Sequence, residues 1–137
     1  MNIKSFLQSL KHPFYQFILK HGKYFKGYRC DKRLIKKVEP KPKECFNNAL
    51  KLCLISNGKY EFYQGYMLSP DIPIPIEHAW NVKDGKVIDL TACILKLPKD
   101  TEYFGVKIPY SFLVNNLKEI KASAKSPLLL YWICLSR

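Results

Sequence analysis

The chain has 137 residues, 47% of them hydrophobic and 14% aromatic, with a formal net charge of +12. That length suits one domain with one hydrophobic core, and the apolar content excludes a wholly disordered polymer. Residues 1–51 hold 13 Lys/Arg against 3 acids, so most of the basic field is concentrated there, where it would attract polyanions, acidic protein surfaces or anionic lipid.

In chain order, apolar side chains at Ile3, Phe6, Leu7, Leu10, Phe14, Phe17 and Ile18 recur every three or four residues. This predicts a helix over 2–20 with a break at Pro13. The segment HGKYFKGYRCDKRLIKKVEPKPK reads as irregular, or as a short strand plus linker, closing on two prolines. ECFNNALKLCLIS, from Glu44 to Ser56, is a helix with Cys45, Ala49 and Cys53 on one face, ended by Asn57-Gly58. KYEFYQGYML alternates as a strand does, with Tyr60, Phe62, Gln64 and Tyr66 on one side. SPDIPIPI is a proline-punctuated loop or edge segment.

IEHAWNVKDGKVIDLTA then predicts a β-hairpin with Asp84-Gly85 at its tip. That turn pairs Val82 with Val87 and sets Trp80 opposite Asp89. His78 then shares a sheet face with Asp89, and only a one-residue slip would separate them. LPKDTEYFGVKIP reads as loop-rich, YSFLVNNLKEIKAS as helical and SPLLLYWICL as a buried final strand. The order suggests an α+β fold on a mostly antiparallel sheet. The chain reads as a single domain, 1–137, in which a basic helical extension (1–40) precedes a core (41–137).

The five cysteines, Cys30, Cys45, Cys53, Cys93 and Cys134, are odd in number and form no C-x-x-C pair. Neither a disulfide framework nor a four-cysteine zinc site is expected, and Cys53 and Cys93 read as core residues. Cys45, His78 and Asp89 have the chemistry to bind zinc but lack a closely spaced ligand pair, so no metal or other cofactor is expected. The longest apolar run, LLLYWICL, is far short of the roughly 20 residues that span a membrane. A reducing, cytoplasmic setting is the expectation.

A carboxylate beside an imidazole fixes its tautomer and raises its basicity, which is half of a nucleophilic triad. Cys45, just after the Pro42 break, supplies the other half. In the first turn of a helix, unpaired N–H groups and the helix dipole favour thiolate and can cradle an oxyanion.

This order, a cysteine at a helix start followed by His and Asp on successive strands, resembles the papain-like and transglutaminase-like cysteine enzyme superfamily. The match lies in HAWNVKDGKVIDLT (His78–Thr91), ECFNNAL (Glu44–Leu50) and, loosely, YFGV (Tyr103–Val106). The resemblance implies a papain-like fold, with Cys45 as nucleophile, His78 as general base and then acid, and Asp89 as the orienting carboxylate. The implied reaction is acyl transfer from an amide or isopeptide bond through a thioester, by hydrolysis, deamidation or transamidation. Papain-type enzymes carry a glutamine before the nucleophile, whereas this chain has VEPKPKE there. The second oxyanion donor falls to the Cys45 N–H, Lys43, Asn47 or Gln64, and Trp80 is expected to wall the pocket. The expected partner is a protein or peptide substrate, with an acidic one favoured by the basic flank. Two readings without catalysis stand beside this one. KYFKGYR suits a nucleic-acid-binding module, and residues 2–20 suit a membrane-surface helix.

Overall fold

The computed structural model describes residues 2–122 and 126–136. Two short helices open the chain, α1 (Ile3–Ser9) and α2 (Pro13–His21). The break between them is a helix start. Pro13 occupies the first position of α2, and His12 Nδ1 accepts the Phe14 N–H at 3.1 Å. Ile3, Leu7 and Ile18 are buried in the main core, so the apolar stripe of residues 2–20 faces inward.

Strand β1 (Lys23–Lys26) follows, then α3 (Lys32–Val38) and α4 (Cys45–Ile55). The linker expected over 32–38 is therefore a helix. Asp31 caps it, accepting from Arg33 N and Leu34 N, and Val38 packs on Leu52 and Leu90. The density of lysines hid a helix that needs only one apolar side. Helix α4 spans the residues expected of it and ends where Gly58, at φ 81°, donates its N–H to Cys53 O at 2.8 Å.

Strands β2 (Glu61–Leu68), β3 (Ile76–Lys83) and β4 (Lys86–Ile88) come next, then α5 (Leu90–Leu95) and β5 (Glu102–Ile108). The stretch at 97–109, expected as a loop, thus contains β5, which inserts between β1 and β2 in the sheet order β1-β5-β2-β3-β4. All pairings between these strands are antiparallel. Flanking prolines masked an ordinary alternation, in which Phe104, Val106 and Ile108 face one way and Tyr103 and Gly105 the other. The hairpin register is the expected one, with Val82 against Val87 and Lys83 against Lys86.

Helices α6 (Tyr110–Asn115), α7 (Leu117–Ala122) and α8 (Pro127–Leu135) complete the described chain. Ser123, the last residue of the helical stretch expected there, lies outside the described residues. The expected final strand is instead α8. Ser126 Oγ accepts the Leu129 N–H at 3.1 Å and Pro127 sits in the first turn. An all-apolar run has no periodicity to separate strand from helix, and the Ser-Pro start decides it.

One face of the sheet, carrying Phe62, Tyr66, Ala79, Phe104, Val106 and Ile108, is covered by α1, α2, α4, α6, α7 and α8. The other gathers Phe25, Tyr63, Met67, Trp80, Val82 and Tyr103 around Tyr28 and Ala92. Cys93, expected as a core thiol, is joined to Cys30 in a disulfide with a Cα–Cα distance of 5.7 Å. Such a bond is the chemistry of oxidising compartments or of transient redox events, so a reducing setting gains no support from it. No helix among the described residues is long and apolar enough to cross a membrane.

Candidate active site

The second sheet face holds a buried polar cluster. His78 projects from β3, with its residue in register with Gly65 of β2, which in turn lies opposite Gly105 of β5. Two glycines therefore leave a strip without side chains where His78 and Trp80 lie. A methyl group at Gly105 would come within 2.6 Å of Trp80 Cη2. The Trp80 ring stacks on the imidazole at 6.2 Å with an interplanar angle of 17°, and the Tyr103 ring lies 6.2 Å away.

Asp89 does not belong to the hairpin strand, as the sequence suggested. Strand β4 stops at Ile88, and Asp89 caps α5, its Oδ1 accepting the Ala92 N–H at 3.0 Å. This leaves Oδ2 for the sheet. His78 Nε2–H donates to it at 2.7 Å and the Tyr103 hydroxyl donates to it at 2.8 Å. His78 is 4% exposed and Asp89 1%. A single carboxylate thus ends the strand, starts the helix and holds the imidazole by one nitrogen.

Asp89 engages only Nε2, which leaves Nδ1 open to a second partner. Burial alone would lower the His78 pKa, but the charge and hydrogen bond of Asp89 outweigh it. Together with a contact and a charge interaction from Cys45, they lift it to about 10. Burial pushes Asp89 upward as well, and the imidazolium, the Ala92 N–H and Tyr103 reverse that, holding the carboxyl below its usual range. Burial and the Asp89 charge push the Tyr103 phenol far up, so it stays a donor. Near neutrality the cluster is a carboxylate–imidazolium pair beside a half-buried sulfur residue.

Helix α4 delivers Cys45 as its first residue. The chain enters through Lys43 in the left-handed region, at φ 65°, and Glu44 makes no side-chain cap. The entry is fixed instead by Asn48, which is buried one turn into the helix. Its Oδ1 accepts the Lys41 N–H at 3.0 Å, while its Nδ2 donates to Lys41 O at 2.9 Å and to Thr91 Oγ1 at 2.8 Å. Asn48 therefore ties the turn before Cys45 to the helix that Asp89 begins. Sequence reasoning missed both Asn48 and Tyr103. The signal for Asn48 was a polar residue on the apolar side of α4, and that for Tyr103 was the alternation through YFGV.

The candidate oxyanion residues are scattered. Lys43 and Asn47 are exposed, and Asn47 Nδ2 donates to Glu44 Oε1 at 3.3 Å. Gln64 lies on the opposite sheet face from His78, where its Oε1 accepts the Leu128 N–H at 2.9 Å, so it is excluded as an oxyanion donor. Trp80 is fully buried and walls the imidazole rather than an open pocket, and its Nε1 has no partner among the described residues. A cavity of about 240 Å³ lies beside the first turn of α4, lined by Phe46, Asn47, Leu50, Glu77, Ile120 and neighbouring residues of the 126–127 turn. The arrangement supplies a cysteine sulfur, an imidazolium, a buried carboxylate and a helix start without a side-chain cap. In comparisons with known proteins, no family model, curated protein or solved structure matches this chain.

Proposed function

We propose that the chain is a cysteine-dependent acyl-transfer enzyme with a papain-like or transglutaminase-like catalytic core, acting on an amide or isopeptide bond. The observation that carries this reading is the buried His78–Asp89 bond of 2.7 Å, with Cys45 as the remaining partner of the ring. In the proposed cycle the Cys45 thiolate, whose proton is the one held by the His78 imidazolium, attacks the carbonyl carbon. The N–H groups of the first turn of α4, which no side chain caps, receive the oxyanion. His78 passes its proton to the departing amine, leaving a thioester. Water or a second amine then attacks the thioester while His78 takes the proton back.

Asp89 and Tyr103 take no proton in this cycle. They hold the imidazole so that Nδ1 meets the sulfur, and the Asp89 charge stabilises the imidazolium.

Intact-mass spectrometry after brief mixing with activated esters and a panel of glutamine-containing and isopeptide-linked peptides tests the reading. One acyl adduct, absent from Cys45→Ala and discharged by hydroxylamine, is the expected result. Turnover that survives in Cys45→Ala, or adducts spread over Cys53 and Cys134, would reject it.

A further inference from the structure

The five-stranded sheet does not close on itself. Strands β1 and β4 are its two edges, and the curl of the sheet brings the chain beyond β1 against β4. Arg29 forms a parallel bridge with Ile88, and its N–H donates to Val87 O at 2.9 Å. Away from that bridge the edges part. A groove of about 470 Å³ lies between them, lined by residues 23–29 on one side, 85–87 on the other, and Lys99. Each edge strand has one strand neighbour, and apart from Val87 O, which the Arg29 N–H already engages, outward backbone groups of β1 and β4 face this seam without sheet partners.

The lining contains Lys23, Lys26, Arg29, Lys86 and Lys99 and no carboxylate. Lysines on edge strands ordinarily prevent sheets from pairing edge to edge. Here they do so selectively. A second copy of a chain with net charge +12 is repelled, whereas an extended strand bearing carboxylates is attracted. Nucleic acid fits the seam poorly. Phe25 and Tyr28 are buried, and Tyr24, at 45% exposed, has its hydroxyl donated to Glu102 Oε1 at 2.6 Å. No row of open aromatic faces remains for bases to stack on.

We infer that the seam between β1 and β4 binds an extended acidic peptide, which adds as a strand by backbone hydrogen bonds while its carboxylates meet the five cations. This mode combines main-chain pairing for affinity with side-chain charge for selection. It does not rest on the thiol chemistry proposed above, and it is tested on the full chain carrying Cys45→Ala, where no turnover takes place.

The probe is a fluorescein-labelled peptide of alternating glutamate and valine, followed by fluorescence anisotropy. Binding that weakens as salt rises is expected. It should fall about tenfold or more in K23E/K86E, with circular dichroism used to check that this variant is folded. The same peptide N-methylated at every second residue cannot complete a strand ladder, and it should also bind about tenfold less tightly. This comparison needs no protein variant. Equal binding of the methylated peptide would overturn strand addition. Displacement of the probe by oligothymidylate at lower concentration than by unlabelled acidic peptide would assign the seam to nucleic acid instead. No binding at low salt would end the proposal.

Discussion

The two faces of the sheet are buried by the same chain on different physical terms. Among its buried residues the helix-covered face is apolar apart from Gln64 and Asn81: Gln64 Oε1 accepts the Leu128 N–H while its Nε2 has no partner among the described residues, and Asn81 donates to Ala49 O at 2.9 Å. There the removal of hydrocarbon from water supplies the stabilisation. The other face encloses an imidazole, a carboxylate and a phenol within an aromatic wall. Desolvating an ion pair offsets most of its Coulombic gain, so such a cluster contributes little net stability. Folding does not require it, whereas the proposed thiol chemistry would use a fixed, charged imidazole.

The largest effect that tests this contrast is on stability. Asp89→Ala should cost about 3–5 kcal/mol, because it strands a buried imidazolium and uncaps α5. Adding His78→Leu to that variant should recover part of the loss, since the unpaired charge is gone. Urea denaturation measures both, and a double variant less stable than Asp89→Ala would mean the cluster is ordinary packing. Next in size is Tyr103→Phe, which deletes one hydrogen bond to a carboxylate and should cost about 1.5–3 kcal/mol.

Gly105→Ala should cost about 1–3 kcal/mol. The new methyl group would lie 2.6 Å from both Trp80 Cη2 and Gln64 O, disturbing the ring that stacks on His78. A change below about 0.5 kcal/mol would show that the strip accommodates a side chain.

The dependence on pH tests the same pair in another way. The His78 pKa is raised from 6.5 to about 10. The stability it contributes is therefore full below its unfolded value and is lost as pH rises through about 10. Asp89 is lowered from 3.8, so its contribution is present above that value and is lost as pH falls through the depressed one. The stability difference between the native chain and the His78→Leu/Asp89→Leu double variant should thus be greatest between the acid and alkaline limits. Nitrogen-15 NMR of the ring should find His78 protonated at neutral pH. A ring titrating near 6.5 would contradict the pairing.

Local chemistry decided what was legible in the sequence. The hairpin register could be read because Asp84-Gly85 specifies its own turn and Val82 and Val87 then pair on the buried face. The shared face of His78 and Asp89 followed from that register, although Asp89 reaches it as a helix cap rather than as a strand residue. The start of α4 was marked by the prolines before it. The position of β5 in the middle of the sheet was not legible, because nothing local to Glu102–Ile108 specifies which strands it joins. Tyr103 stayed hidden for the same reason. The Cys30–Cys93 pairing spans 63 residues and depends on α5 packing beside the chain that follows β1.

Competitive alkylation asks whether the Cys45 sulfur meets an imidazole held by Asp89. Iodoacetamide at neutral pH, with the modified sites read by peptide mass spectrometry, should label Cys45 about a hundredfold faster than Cys134. His78→Ala should erase that advantage although Cys134 is the more exposed residue. Equal labelling of the two thiols, or a Cys45 rate unchanged by His78→Ala, would contradict the account.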